Sequence, residues 1–194
     1  MKPYIVAMTG ASGVVYAVRL LEVLAEQKVP VELVISDMAK IVMKEELGAE
    51  PDLHKKGFHI HSFKDFTAPI ASGSYPTQGM VIVPCSMGTL GAIASGLSQN
   101  LIHRAADCTI KEGRKLILVP RETPLSAIHL ENMLKLSRLG VRIVPPMPAF
   151  YSGQKDIRDL VDFVTGKILD QMEIPHTLYP RWVGPMERAF EKLL

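Results

Sequence analysis

Short runs of β-branched and aliphatic residues alternate along the chain with longer stretches whose apolar positions recur every three or four residues. The first run, Pro3 to Met8, reads as a strand, and "VVYAVRLLEVLAEQK" follows after Gly13 with Ala17, Leu20, Leu21, Leu24 and Ala25 on one stripe, the mark of an amphipathic helix. "VELVI" is the next strand, and "DMAKIVMKEELG" a helix closed by Gly48. "MVIVP", "KLILVP" and "VRIVPP" supply three further strands. Between and after them lie "CSMGTLGAIASGL", "PLSAIHLENMLKLSRLG" and "DIRDLVDFVTGKILDQM", read as helices. Strands alternating with helices predict an α/β, Rossmann-like or flavodoxin-like doubly wound parallel sheet in a three-layer αβα sandwich. The stretch from Glu50 to Gln78 is less regular, with "FHIHSF" alternating like an edge strand and "APIASGSYPTQG" carrying turn residues, as expected of a functional loop or an interface.

Length narrows this to one domain: 194 residues bury a single sizeable core, so 1–194 is read as one unit with a helical tail from about residue 183. A composition 47% hydrophobic and 22% charged excludes disorder, and a net charge of +2 gives no reason to expect nucleic acid as a partner. No apolar stretch is long enough for a signal sequence or a membrane span, so no membrane partner and a cytoplasmic location are expected. Cys85 and Cys108 are too few for a disulfide framework and lack zinc-site spacing; reduced thiols are the default.

In a doubly wound sheet, ligands bind beyond the carboxyl ends of the strands. Four segments fall there: "TGASG", "ISD", "PCSMGT" and "PRETP". Gly10 and Gly13 allow close backbone approach beside a helix N-terminus, which suits a phosphate; the turn also reads as plain strand-to-helix geometry capped by Ser12. It matches neither the dinucleotide glycine pattern nor a Walker loop. Ser86, Gly88 and Thr89 repeat the same chemistry, and two such turns facing one crevice suit a mononucleotide. Arg121 and Glu122 offer a phosphate-binding guanidinium beside a carboxylate, or a simple surface ion pair. Arg104 and Lys111 lie two helical turns apart on one face. Cys85 is a possible nucleophile but reads as packing, and Glu45 and Glu46 carry proton-transfer chemistry only if they reach the crevice. His59 and His61 share a strand face and form a candidate metal pair with Asp65, with no further ligand set visible; Ser126 and His129 lack a nucleophile elbow.

Taken in order, "MTGASG", "PCSMGTLGAIASG", "NLIHRAAD", "LVPRETPLSAIHLENMLKLSRLG", "PPMPAFY" and "PRW" resemble the flavin prenyltransferase family, the UbiX-like proteins formerly described as aromatic acid decarboxylases. The resemblance runs from about Lys2 to Trp182. It implies an enzyme that joins the dimethylallyl group of dimethylallyl monophosphate to N5 and C6 of reduced FMN without a metal, usually as a homododecamer, and passes prenylated FMN to a UbiD-type decarboxylase. It assigns Gly10, Ala11, Ser12, Ser36, Ser86, Met87, Gly88, Thr89 and Arg121 to FMN. Ser72, Gly73, Lys111, Tyr151, Lys167 and Trp182 fall to the prenyl phosphate and its pocket. Catalytic roles fall to Ser12, Glu46, Lys111, Arg121 and Glu122. Lysine stands at position 167 where many relatives carry arginine, which keeps the charge and loses the bidentate fork. The competing readings are an FMN-dependent phosphopantothenoylcysteine-type decarboxylase, which needs a histidine after the first helix that this chain lacks, and a non-catalytic FMN carrier.

Overall fold

The computed structural model describes residues 1–49, 51–53, 57–151 and 153–182. The helical tail expected from about residue 183 lies outside the described residues. Six parallel strands, β1 (Tyr4–Met8), β2 (Val31–Ile35), β3 (His59–His61), β4 (Gly79–Cys85), β5 (Lys115–Pro120) and β6 (Arg142–Ile143), form one sheet in the order β3-β2-β1-β4-β5-β6. The helices are α1 (Val14–Glu26), α2 (Asp37–Leu47), α3 (Met87–Ala94), α4 (Leu101–Lys111), α5 (Ala127–Arg138) and α6 (Ile157–Met172).

β1, β2 and β4 are buried at every position, because both faces of the sheet are covered. Alternation divides each strand between two cores. Tyr4, Val6 and Met8 pack with Leu20, Leu24, Met43, Ile168 and Leu169 from α1, α2 and α6. Ile5 and Ala7 pack with Leu90, Ile93, Leu101, Ala105 and Leu136 from α3, α4 and α5. The Tyr4 hydroxyl donates to the Met172 carbonyl at 2.5 Å, fixing the end of α6 at the amino edge of the sheet. The strand order reverses between β1 and β4, which places the topological switch point, and with it the crevice, at their carboxyl ends.

Two boundaries differ from the sequence pattern. The run "VRIVPP" is a strand only at Arg142–Ile143, with Val144 N donating once more to Leu118 O at 2.8 Å; the two prolines that follow have no amide to extend the ladder. Pro124 does not open α5. Ser126 caps it instead, its hydroxyl accepting from His129 N while the His129 ring accepts from Ser126 N, so this pair is a capping box rather than part of a hydrolytic site.

Candidate active site

The crevice is built mainly from backbone. At Gly10 an added Cβ would stand 2.5 Å from Met38 Cβ, so this position is glycine because the start of α2 packs directly on the turn after β1. Gly13 holds φ +100 as the N-cap of α1 and brings no capping side chain. Glu46 provides the cap from α2: its carboxylate accepts from Gly13 N at 3.0 and 3.1 Å and from Val14 N at 3.1 Å. A carboxylate of the chain itself thus accepts from the helix-end donors at this turn. Ser12 is exposed beside it, and its hydroxyl has no hydrogen-bond partner among the described residues.

The second turn keeps donors open. Ser86 caps α3, accepting from Thr89 N at 3.3 Å and donating to Thr89 Oγ1 at 3.1 Å. The amides of Met87 and Gly88, in the first turn of the helix, have no acceptor within it, and a Cβ at Gly88 would meet nothing within 4 Å. Ser36 caps α2 by accepting from Ala39 N at 3.1 Å, leaving its own proton to donate. Thr9, which sequence reasoning missed, joins the two turns. Its buried hydroxyl donates to Pro84 O at 3.0 Å and accepts from Ser86 N at 2.8 Å. Its sequence signal was only a hydroxyl at a strand end, overshadowed by the adjacent glycine.

Arg121 follows β5, its amide donating to Cys85 O at 3.3 Å, and its buried Nε has no hydrogen-bond partner among the described residues. Glu122 is exposed and accepts from Thr123 N at 3.0 Å. Cys85 is fully buried, and burial pushes its thiol up to about 12, so it is no nucleophile. The donors of Ser36, Ser86–Thr89 and Arg121, with open space over Gly88, fit a ligand that carries a phosphate and a polar ring; the orphaned Nε calls for an acceptor that the described residues do not provide.

The remaining candidates lie elsewhere. Arg104 donates to Ala71 O at 2.9 Å, and a Cβ at Gly73 would stand 2.5 Å from Lys111 Nζ, so the two cations share the face that meets Ala71 to Gly73. Lys111 pairs with Glu112, and Ser72 Oγ lies 2.8 Å from Ser74 Oγ. This cluster precedes β5, at the amino edge of the sheet; Arg121 follows β5, about 17 Å away along six residues of strand. Lys167, on α6, lines a cleft of about 360 Å³ with Arg142, Ile143, Met147 and Phe163, on the β6 side of the molecule. Tyr151 stands edge-on to Phe163 and to Trp182, with ring centroids 5.9 and 5.5 Å apart. Ser72, Gly73 and Lys111 thus lie at the other end of β5 from Arg121, and Tyr151, Lys167 and Trp182 gather on the β6 side.

The latter group hangs on Asp170, also invisible in the sequence. Arg181 donates to both its oxygens at 2.7 and 2.8 Å, the Tyr179 hydroxyl donates at 2.7 Å, His176 Nε2 lies at 3.1 Å and Lys167 Nζ at 3.8 Å. The Arg181 guanidinium, helped by Tyr179 and His176, holds the Asp170 carboxyl well below the usual carboxylate range. Gly166 is needed for this clasp, since a Cβ there would fall 2.5 Å from the Tyr179 ring and 2.6 Å from that of His176.

The Flavoprotein family model matches residues 1–169. The flavin prenyltransferase UbiX of Halalkalibacterium halodurans is 50% identical over 190 residues, covering 92% of each chain. The chain belongs to the flavin prenyltransferase family. Within the family, a dodecameric FMN-dependent UbiX-like decarboxylase from Escherichia coli O157:H7 has a similar structure, with TM-score 0.91 and 47% identity, over 94% of this chain and 100% of that one. AnUbiX (PadA1), solved with FMN and dimethylallyl pyrophosphate, superposes with TM-score 0.92 at 42% identity, covering 95% and 99%. Among the described residues no helix is long and apolar enough to cross a membrane.

Proposed function

We propose that this flavin prenyltransferase transfers the dimethylallyl group of dimethylallyl monophosphate to N5 and C6 of reduced FMN. The observation that carries this reading is the buried, unpartnered Arg121 Nε at a crevice whose other donors are backbone amides and serine hydroxyls. Ser36, Ser86, Met87, Gly88, Thr89 and Arg121 hold FMN, with Gly10 and Ala11 forming the floor. When bound, reduced FMN supplies the nucleophilic nitrogen and the aromatic carbon that take the prenyl group.

Lys111, Lys167 and Arg121 stabilise the charge that develops on the departing phosphate, work that a divalent cation does in other prenyl transfers. Ser72 and Gly73 shape the phosphate pocket beside Lys111. Tyr151 and Trp182 exclude water and turn their π-faces toward an allylic cation. Ser12, just before α1, and Glu46, which caps α1 from α2, move protons at N5; Glu122 takes the proton lost from C6, and the departed phosphate returns one to the prenyl double bond. Lysine at position 167 acts as a point charge rather than a fork, leaving the phosphate freer to leave.

Lys111 and Arg121 meet only if separate copies of the chain supply them, and we propose a homo-oligomer, a dodecamer as in the E. coli relative. Two features support assembly: the wide separation of Lys111 from Arg121, and α5, where Ile128, Leu130 and Leu134 are exposed and Leu136 is the helix's one buried residue. The prenylated flavin then serves a UbiD-type decarboxylase. Against a phosphopantothenoylcysteine-type decarboxylase stands the absence of any histidine between Gly13 and Leu53. A bare FMN carrier has no use for the Lys111 and Lys167 clusters.

Anaerobic incubation of the protein with reduced FMN and dimethylallyl monophosphate, followed by mass spectrometry of the flavin, tests the reaction. A five-carbon gain is expected; unchanged flavin overturns the proposal. Parallel incubation with the diphosphate decides which leaving group the pocket takes.

A further inference from the structure

At the opposite edge of the sheet, β2 and β3 run parallel with Glu32 in register with His59 and Val34 with His61. Paired residues of neighbouring strands point to the same face, so the carboxylate and both imidazoles emerge together. Glu32 Oε2 lies 3.0 Å from His59 Nδ1 and 2.5 Å from His61 Nε2. The other oxygen, Oε1, accepts from the Tyr75 hydroxyl at 2.6 Å, which fixes the plane of the carboxylate. All three donor atoms fall within 4.8 Å of one another. Asp65 is not among them: its carboxylate accepts from Thr67 N and Oγ1, so the third group beside the two histidines is Glu32, 27 residues before His59.

We propose that Glu32, His59 and His61 bind a divalent transition metal of the Zn²⁺ class. Two neutral imidazoles and one carboxylate are a borderline-soft donor set suited to zinc, with water completing the shell. Glu32 and His61 are buried, whereas the His59 side chain is 66% exposed, leaving one side of the site open to water. Metal–ligand bonds of about 2.0–2.2 Å place donors roughly 3.3 Å apart, so the ring of His61 must withdraw by less than about 1 Å and exposed His59 can follow. Tyr75 serves as the outer partner that orients the ligating carboxylate.

Charge supports the same reading. Among the described residues no lysine or arginine pairs with Glu32, so its buried negative charge faces only the two imidazoles and a phenol. A divalent ion between them neutralises that carboxylate and ties the three-residue edge strand β3 to β2. His61 also borders a cleft of about 740 Å³. The site sits near the amino end of β2, away from the flavin crevice, so its role is structural.

The test is calorimetric titration of the FMN-loaded protein, freed of metal by a chelator that is then removed, with Zn²⁺ alone. One site per chain is expected. Affinity should fall at least about tenfold in His59→Ala and again in the double variant with His61→Ala, and stay unchanged in His129→Gln. Because His59 is exposed, His59→Ala folds, which retained flavin and melting without metal will verify. Zn²⁺ should raise the melting temperature of the unsubstituted protein and not that of His59→Ala. Cobalt should give ligand-field bands of a nitrogen- and oxygen-ligated ion that vanish in the double variant. Equal affinity in His59→Ala, or no binding beyond that of the double variant, overturns the proposal.

Discussion

The crevice between β1 and β4 and the clasp around Asp170 hold their groups by opposite means. In the crevice, backbone amides and one buried hydroxyl, Thr9, set the geometry, and Gly10 lets α2 rest against the turn. In the clasp, side chains 6 to 11 residues downstream in sequence converge on a single carboxylate. Both regions contain a glycine with no space for a Cβ. At Gly10 the obstacle is Met38 Cβ, which cannot move without α2; at Gly166 it is the rings of Tyr179 and His176, held by their bonds to Asp170. The crevice is thus fixed by one element packing on another, the clasp by side chains packing on one another.

Substitutions can break this contrast in graded steps. The largest effect is expected from Arg121→Ala, which removes the unpartnered guanidinium. Flavin affinity should drop roughly tenfold to a hundredfold, the equivalent of about 1.5–3 kcal/mol for a charge-assisted hydrogen bond, as measured by fluorescence titration with FMN. Gly10→Ala forces a methyl against α2 and should lower unfolding free energy by about 1–3 kcal/mol in denaturant melts, with flavin lost in parallel. Asp170→Ala should leave the melt of the sheet nearly unchanged while prenyl transfer falls by about 10- to 100-fold in kcat/KM through misplacement of Trp182 and Tyr151. Retained transfer in that variant would separate the clasp from catalysis.

The smallest effect concerns pH. Asp170 titrates lower in the folded chain than in the unfolded one, so its ion pairs stabilise the clasp fully above the ordinary aspartate pKa of about 4. That contribution fades as pH falls below this value toward the depressed folded-state pKa. Trp182 is the chain's only tryptophan, so its emission should stay constant from pH 8 to about 5 and change only in more acidic solution.

The architecture was legible because doubly buried parallel strands leave continuous apolar runs such as "YIVAM" and "GMVIVPC". The strand-end rule then marked the turns at Gly10, Ser36, Ser86 and Arg121 before any contact was known. What sequence hid were contacts made by folding: Glu46 capping a helix 33 residues earlier, Thr9 bonding 75 residues ahead, and Met38 pressing on Gly10. For Lys111, Arg121 and Lys167, charge alone carries no position. The course of β5, not the residue types, sets Lys111 before the amino end of that strand and Arg121 just past its carboxyl end.

That opposition has a genetic consequence. If Lys111 and Arg121 serve one site from two chains, Lys111→Ala and Arg121→Ala should each impair transfer alone, yet each retains the residue the other has lost. Co-expressed in equal amounts, they would assemble at random, and about a quarter of the junctions would receive both intact side chains from two different parents. Two impaired alleles would complement one another, while a third carrying both changes in one chain would rescue neither.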